Sequence, residues 1–190
     1  MLSPQKLLIV VGGGAAADEI RRLDAQYHLS PGHTHWAAIA AMTLNAGVVS
    51  RLCGHLPIIS DRMHGEKAWL HTDAVLLDTT AFLTAEQINP GRALPEAWSV
   101  TSDSIAAFVA LNWPARQLIF CKSCDLAKPP FGNLPAMRGT PNSEGQPRHS
   151  ECFDEWFPNL LQPLEHAGVT LSWLNLSATI HRPQSFFPAS

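Results

Sequence analysis

The chain contains 190 residues, of which 46% are hydrophobic, and it carries a formal net charge of −3. This length and hydrophobic content suffice for one sizeable core, so we expect a single domain over residues 1–190. The chain has no cluster of Lys and Arg, which argues against a nucleic-acid surface, and its longest mostly apolar stretch, residues 36–50, is too short to span a bilayer. No signal peptide is recognisable, so we expect a cytoplasmic protein without membrane contact, whose four cysteines are thiols.

The first half of the chain alternates predicted strands with predicted helices. Residues 6–11 form a continuous apolar run, which predicts a strand that is buried on both faces. A helix is predicted over residues 15–23 and a longer one over residues 35–52, which we expect to be covered on most sides. Short strands follow at residues 56–60 and 74–77. The predicted buried stripe of the longer helix comprises Trp36, Ile39, Ala40, Thr43, Leu44, Gly47 and Val48.

The second half continues the same alternation. A helix is predicted over residues 102–112, a buried strand over 117–122, a helix over 152–167 and a last strand over 169–176. Residues 125–150 are rich in Pro, Gly, Asn and Ser and predict a long loop, while the tail, residues 178–190, has no periodic signal. Alternating helices and strands predict an α/β fold, a three-layer α/β/α sandwich with a mainly parallel sheet.

Two segments predict a phosphate site. Gly12, Gly13 and Gly14 end the first predicted strand at a helix start, where several backbone N–H groups converge on one point. A tight turn that uses glycine only for backbone freedom is the alternative explanation. Ser102 and Asp103 open another predicted helix, and their hydroxyl and carboxylate suit a phosphate or its metal ion. Asp103 is equally explained as an ordinary helix-start residue.

Histidines and cysteines raise the question of a metal site. If the segment His33-Thr34-His35 is extended, both imidazoles point to one side and can hold a metal or a phosphate; two exposed loop histidines are the alternative. Cys121, Cys124, His149 and Cys152 have spacings compatible with tetrahedral zinc, which would make the chain a zinc-stabilised interaction protein. Because Cys121 belongs to a predicted strand, we expect that the cysteines bind no zinc.

Several segments resemble the amino acid kinase superfamily of aspartate, glutamate and uridylate kinases. The segment Val10–Gly14, with Asp18 and Arg21 after it, is similar to the superfamily's second glycine loop. The run from Trp98 to Ala107, the segment Leu118–Ser123 and the Asp-x-x-Phe-Pro pattern at residues 154–158 continue the resemblance. The chain looks most like small proteins of methanogens and methylotrophs, some of which phosphorylate a furanmethyl phosphate on the route to methanopterin-type cofactors.

The resemblance implies a small-molecule kinase that uses ATP and Mg²⁺ on a phosphorylated or carboxylated substrate. It implies that the glycine triplet holds phosphate and that Asp103, with Thr101 and Ser102, organises the nucleotide or cations. Lys122 would neutralise charge at the transferring phosphoryl group. His35 and Asp18 would belong to the substrate pocket.

The chain departs from the superfamily in one segment. The superfamily opens with a strand and a Lys-x-Gly-Gly-Ser loop, whereas this sequence contains no such loop and begins with what resembles the second strand. An amino acid kinase-like sandwich that lacks the usual first strand leaves a sheet position open, which the C-terminal tail or a neighbouring subunit can cover, so we expect a homo-oligomer. A catalytically inactive relative that binds a nucleotide or phosphorylated metabolite, or a subunit of a larger assembly, remains an alternative to the kinase.

Overall fold

A computed structural model describes residues 6–86, 93–123 and 153–176. These residues contain six helices interspersed with five strands, and every strand pairing is parallel. Open parallel sheets with interspersed helices confirm the predicted α/β class and are consistent with an α/β sandwich. The chain divides into two compact units, residues 1–102 and 103–190, and each is described by itself. The single domain over residues 1–190 stays a prediction.

The first unit contains a three-stranded parallel sheet. Its elements are β1 (Leu7–Ile9), α1 (Gly14–Tyr27), α2 (Pro31–Leu52), β2 (Ile58–Ile59), α3 (Arg62–Ala68), β3 (Ala74–Leu77) and α4 (Thr79–Glu86). The strand order is β1-β3-β2, so β3 lies in the centre. Because all three strands are parallel, their carboxyl ends lie at one edge of the sheet, the edge at which ligands gather in open α/β sheets.

The core of the first unit forms around β3. As the central strand, β3 is covered by neighbours, and Val75, Leu76 and Leu77 are fully buried. The predicted strand over residues 6–11 is shorter, and its burial on both faces is wrong: β1 is an edge strand and Leu7 is 49% exposed. Other buried apolar residues of this unit are Ile39, Met42, Ala46, Ile59, Phe82, Leu83, Leu94 and Val100.

Helix α2 begins earlier than predicted and buries a different face. It starts at Pro31, a favoured first helical residue because its fixed φ suits the helix and its missing N–H is not needed there. Its buried positions include His35, Ile39 and Met42, whereas Leu44 and Val48 of the predicted stripe are 63% and 51% exposed. The expected coverage on most sides is therefore wrong. Helix α2 carries apolar residues on all of its faces, so its sequence does not indicate one buried face, and contacts with the sheet decide which face is buried.

Two short helices were not predicted from the sequence. Helix α3 begins after Asp61, whose carboxylate accepts the His64 N–H at 2.9 Å and so caps the helix. Helix α4 follows directly after β3. Both have fewer than three turns, and a short helix gives little periodic signal because few apolar positions repeat.

The second unit contains helix α5, which begins at the boundary between the units, and a two-stranded parallel sheet. Its elements are α5 (Ser102–Asn112), β4 (Gln117–Lys122), α6 (Pro158–His166) and β5 (Thr170–Asn175). Strands β4 and β5 pair in register along their whole length. The bounds of α5 and β4 match the predictions. The predicted burial of β4 is wrong, because Phe120 is buried while Ile119 is 46% exposed.

An aromatic cluster forms the core of the second unit. The rings of Phe153 and Phe157 stack with centroids 4.5 Å apart, and Phe120 meets both edge-on at 5.1 and 5.2 Å. Trp173 lies 5.3 Å from Phe153. Such aromatic pairs bury large apolar areas in defined geometries, so they fix the segment that precedes α6.

The predicted loop at residues 125–150 and the predicted tail at residues 178–190 lie outside the described residues. Helix α6 begins at Pro158 rather than at residue 152, which also lies outside them. Among the helices that are described, none has both the length and the apolar character needed to cross a membrane.

Candidate functional site

The glycine loop at the end of β1 has the backbone conformation of an anion-binding turn. Gly13 is right-handed, with φ −70° and ψ −24°, and Gly14 has a φ of +50°. A right-handed residue followed by a left-handed one directs successive N–H groups into a shared concavity, called a nest. The first turn of α1 carries no side-chain cap, and its N–H groups form the positive end of the helix dipole. This turn can therefore accept an anion.

Structural requirements alone explain why two of the three positions are glycine. A Cβ on Gly13 would lie 2.5 Å from the Ala17 Cβ, and the positive φ of Gly14 disfavours other residues. Gly12 differs, because a Cβ there would lie 3.5 Å from Ser102 Oγ, which is ordinary contact. Packing and turn geometry thus account for Gly13 and Gly14, so the number of glycines is no evidence for anion binding.

The structure brings Gly12 and Ser102 together within the first unit. The same 3.5 Å separation places the Ser102 hydroxyl beside the glycine loop, where it can donate to a bound anion. Thr101 precedes it and is half-buried. The sequence predicts this pairing of the two segments, while the phosphate-binding roles of Thr101 and Ser102 remain predictions.

Asn45 contacts the glycine loop from α2 and was missed by the sequence analysis. Its side-chain amide donates to the carbonyl oxygens of Gly12 and Gly13, both at 2.8 Å. The only sequence signal is a carboxamide within a mostly apolar helix, and the identity of its partners depends on tertiary structure. Asn45 therefore links α2 to the loop.

A second polar group lies at the carboxyl end of β3. The Asp78 carboxylate accepts the Thr43 hydroxyl at 3.0 Å and the Ala81 N–H at 3.0 Å. Thr43 also lies 2.9 Å from the Thr80 hydroxyl and accepts the Thr80 N–H at 3.1 Å. These residues cap α4 and were not predicted as a group. This network connects α2 to the end of β3, and this structural role is sufficient to explain the polar side chains of Thr43, Asp78 and Thr80.

His35 lies in the first turn of α2, where it is 3% exposed. Residues 33–35 are helical, so neither of the two alternatives, an extended segment or a pair of exposed loop histidines, describes them; residues two apart on a helix are rotated by about 200° around its axis. His33 is exposed, with its ring beside the Ser30 hydroxyl. The two imidazoles therefore do not form one binding site.

The surroundings of His35 lower the pKa of its ring. Burial lowers the pKa of His35, opposed by a hydrogen bond to Ala97 and by the charge of Glu96. Its Nδ1 lies 3.3 Å from the Ala97 carbonyl oxygen, and its buried Nε2 has no partner among the described residues. If Nδ1 carries the proton, Nε2 is an acceptor. The substrate-pocket role of His35 stays a prediction.

Asp18 lies on the exposed surface of α1. Its side chain is 73% exposed and pairs with Arg21 at 3.0 Å, one turn along the helix. Such a pair is typical of a solvated helix face. The structure gives no support to a substrate contact by Asp18, and that role remains a prediction.

Asp103 and Lys122 form an ion pair within the second unit. Lys122 Nζ lies 2.6 Å from Asp103 Oδ1, and the two side chains are 27% and 7% exposed. Burial raises the pKa of Asp103, and the positive charge of Lys122 opposes this shift only in part. Lys122 ends β4 and Asp103 lies in the first turn of α5. The sequence predicts both as catalytic; the structure brings them together, while their roles stay predictions.

Asp154 connects this pair to the aromatic cluster. Its carboxylate accepts the Ser104 N–H at 3.0 Å, the Ser104 hydroxyl at 2.5 Å and the Phe157 N–H at 2.9 Å. A backbone hydrogen bond from Asp154 to Asp103 lowers the pKa of Asp103, whereas the charge of Asp154 raises it. From the sequence, Asp154 was noted only as part of the Asp-x-x-Phe-Pro segment that resembles the amino acid kinase superfamily. The structure shows that it anchors the start of α5.

Metal ligands are not grouped in the part of the chain that the structure describes. No three His, Cys, Asp or Glu residues cluster there in a way that could hold a metal ion. Cys121 is an exposed free thiol, while Cys124, His149 and Cys152 lie outside the described residues. The expectation that no zinc is bound therefore stays a prediction.

Comparison with known proteins identifies one distant relationship. No family model matches the chain. A [5-(aminomethyl)furan-3-yl]methyl phosphate kinase of Methanocaldococcus jannaschii is 25% identical in an alignment of 162 residues that covers 83% of this chain and 69% of that kinase. This chain is a distant relative of a kinase. The relationship agrees with the resemblance seen in the sequence at the level of a kinase-like protein.

Proposed function

We propose that this protein is an ATP-dependent small-molecule phosphotransferase of the amino acid kinase type. One observation carries the proposal: the right-handed then left-handed turn at Gly13 and Gly14, with the Ser102 hydroxyl beside Gly12. The distant kinase relative supports it. We further propose a phosphorylated or carboxylated acceptor, with a furanmethyl phosphate of methanopterin-type cofactor biosynthesis as the first candidate.

In this proposal the glycine loop binds a phosphate group through backbone donors. N–H groups of the nest and the Ser102 hydroxyl donate to phosphate oxygens, and the dipole of α1 favours their negative charge. The loop follows β1 at the carboxyl edge of the parallel sheet. This is where a phosphorylated ligand is expected in an open α/β sheet.

In this proposal Asp103 and Lys122 compensate the negative charge of the phosphoryl group, Lys122 directly and Asp103 through Mg²⁺. Lys122 neutralises negative charge, and the Asp103 carboxylate suits Mg²⁺, which prefers oxygen ligands and commonly uses one or two carboxylates with substrate phosphates. Asp103 follows Ser102 directly in the chain, and both lie in the first turn of α5. Bound Mg²⁺ would supply electrostatic stabilisation during transfer.

A catalytically inactive nucleotide-binding or metabolite-binding relative is the second candidate, and one observation favours it. The Lys122 ammonium already pairs with Asp103. Lys6 pairs with Glu66 on the exposed surface, so it offers no replacement. Transfer depends on positive charge around the phosphoryl group, whereas binding at the glycine loop needs only backbone donors.

We also propose that the protein is a cytoplasmic homo-oligomer. Leu44, Val48 and Leu52 lie on successive turns of α2 and are 63%, 51% and 79% exposed. A row of exposed large apolar residues is typical of an association surface. Light scattering after gel filtration should give a mass above 20.7 kDa, and Leu44→Lys should lower it.

The experiment that tests the kinase proposal measures ADP formation with a panel of small alcohols, carboxylates and monophosphates, including furanmethyl phosphates. Wild type and Asp103→Asn are compared, and Glu19→Gln is the matched control because Glu19 forms an exposed ion pair with Arg22. We expect acceptor-dependent turnover that Asp103→Asn lowers by orders of magnitude and Glu19→Gln leaves unchanged. ADP binding without turnover by wild type would favour the inactive relative.

A further inference from the structure

We propose that Asn45 is the positioning residue of the glycine loop: its side-chain amide fixes the loop in the conformation that presents the N–H groups of Gly13 and Gly14 to an anion. The inference rests on the proposed function, in which this loop binds a phosphate. Its evidence is the pair of 2.8 Å hydrogen bonds from Asn45 Nδ2 to the Gly12 and Gly13 carbonyl oxygens.

Peptide geometry connects these two bonds to the anion site. A trans peptide is planar, so its N–H points opposite to its C=O. The Gly12 carbonyl and the Gly13 N–H belong to one peptide unit, and the Gly13 carbonyl and the Gly14 N–H belong to the next. Because both carbonyls point toward Asn45, both N–H groups point away from it. Two consecutive N–H groups directed to one side are the donors of a nest.

A carboxamide at position 45 has the chemistry that this arrangement needs. Its NH₂ group carries two donors, one for each carbonyl oxygen, whereas a carboxylate has none and would repel both oxygens. A Cβ on Gly14 would lie 3.5 Å from Asn45 Nδ2, so this amide lies against all three glycines. Because the loop consists of glycines, it has the largest backbone freedom to lose, and an external constraint has most effect there.

The test compares the near-isosteric Asn45→Asp variant with wild type in the full chain. Asn112→Asp is the matched control, since the Asn112 side-chain amide donates within α5 to the Phe108 carbonyl oxygen at 2.9 Å. Two readouts are used: ¹⁵N order parameters of the glycine amides without ligand, and calorimetric affinity for ADP and for inorganic pyrophosphate. Urea midpoints of all variants separate a loss of stability from a loss of loop order.

We expect the order parameters of Gly13 and Gly14 to fall from about 0.85 in wild type toward about 0.6 in Asn45→Asp. Affinity for ADP and pyrophosphate should fall at least about tenfold, while Asn112→Asp changes neither readout even where it lowers the midpoint. Unchanged order parameters in Asn45→Asp overturn the inference about Asn45. Absence of binding by wild type instead overturns the proposed function. If Asn45→Asp does not fold, Asn45→Ser, with one donor, is judged by the same criteria.

Discussion

The ion pair between Asp103 and Lys122 predicts an asymmetry between two single substitutions. Lys122→Met leaves the Asp103 carboxylate, which is only 7% exposed, without its cationic partner. Asp103→Asn leaves the Lys122 ammonium, which is 27% exposed and has a flexible stem that can turn toward water. Removing the lysine should therefore destabilise the protein more than removing the carboxylate charge.

The size of each effect follows from burial. Loss of one partner of a buried pair costs about 3–5 kcal/mol when the remaining charge cannot reach water, so we expect about 3 kcal/mol for Lys122→Met at pH 8. For Asp103→Asn we expect about 1 kcal/mol, because the lysine can be rehydrated. A double variant should lose less than the sum of the two, since no charge is left alone.

The pH dependence of this asymmetry has a defined sign. The folded-state pKa of Asp103 is raised above its unfolded value, chiefly by burial. The folded state therefore holds the proton more tightly, and the contribution of Asp103 to stability decreases as the pH rises from the unfolded pKa through the folded one. Lys122→Met removes a group that lowers the pKa of Asp103, so this pKa rises further in the variant. The Asp103 carboxyl is then protonated over a wider pH range, and the loss of stability caused by Lys122→Met becomes smaller as the pH falls toward 5.

Urea unfolding at pH 5, 6, 7 and 8 measures the free energy of unfolding for wild type, both single variants and the double variant. Arg22→Met, which removes a cation from an exposed pair with Glu19, is the control and should leave the free energy of unfolding unchanged. Two results would refute the reasoning: a larger penalty for Asp103→Asn than for Lys122→Met, or a Lys122→Met penalty that does not change with pH.

Three further predictions concern residues around the two candidate groups. Gly13→Ala should lower the free energy of unfolding by about 1–3 kcal/mol because its methyl group would clash with Ala17. Gly12→Ala should leave the free energy of unfolding near that of wild type. Urea unfolding measures both, and a larger loss for Gly12→Ala than for Gly13→Ala would contradict the loop geometry. Burial lowers the folded-state pKa of His35, so the contribution of His35 to stability is present above the unfolded pKa and is lost as the pH falls. His35→Gln should therefore flatten the decline of the urea midpoint between pH 7 and 5. An unchanged slope in this variant would contradict the prediction. Asp154→Ala should cost about 3 kcal/mol because its carboxylate accepts three hydrogen bonds, with the exposed Asp73→Ala as control; a loss below about 1 kcal/mol would show that α5 does not depend on this anchor.

The sequence predicted those elements whose local pattern and tertiary environment agree. The bounds of β3, α5 and β4 match the predicted strand at residues 74–77, helix at 102–112 and strand at 117–122. Each combines a compact apolar segment with clear polar boundaries. Strand burial was harder to predict, because it depends on position in the sheet: Val75 lies in the central strand and is fully buried, whereas Leu7 lies in an edge strand.

The site was predictable only where neighbouring residues in the chain define it. The glycine loop and Ser102 were found from their position at helix starts, and the structure places them together. Asn45 and Asp154 act through partners 33 and 50 residues away, so no local pattern marks them. The long helix was predicted to begin at residue 35, whereas it begins at Pro31, because proline is also favoured in the first turn of a helix.

The central claim is that this chain transfers a phosphoryl group from ATP to a small phosphorylated acceptor. Phosphorus NMR of wild-type protein with MgATP and [5-(aminomethyl)furan-3-yl]methyl phosphate, the compound in the name of the distant relative, tests it most directly. We predict that the γ-phosphate signal disappears as ADP and a doubly phosphorylated acceptor form in equal amounts. An unchanged ATP spectrum with this acceptor and with every other monophosphate, carboxylate and alcohol of the panel would contradict the claim.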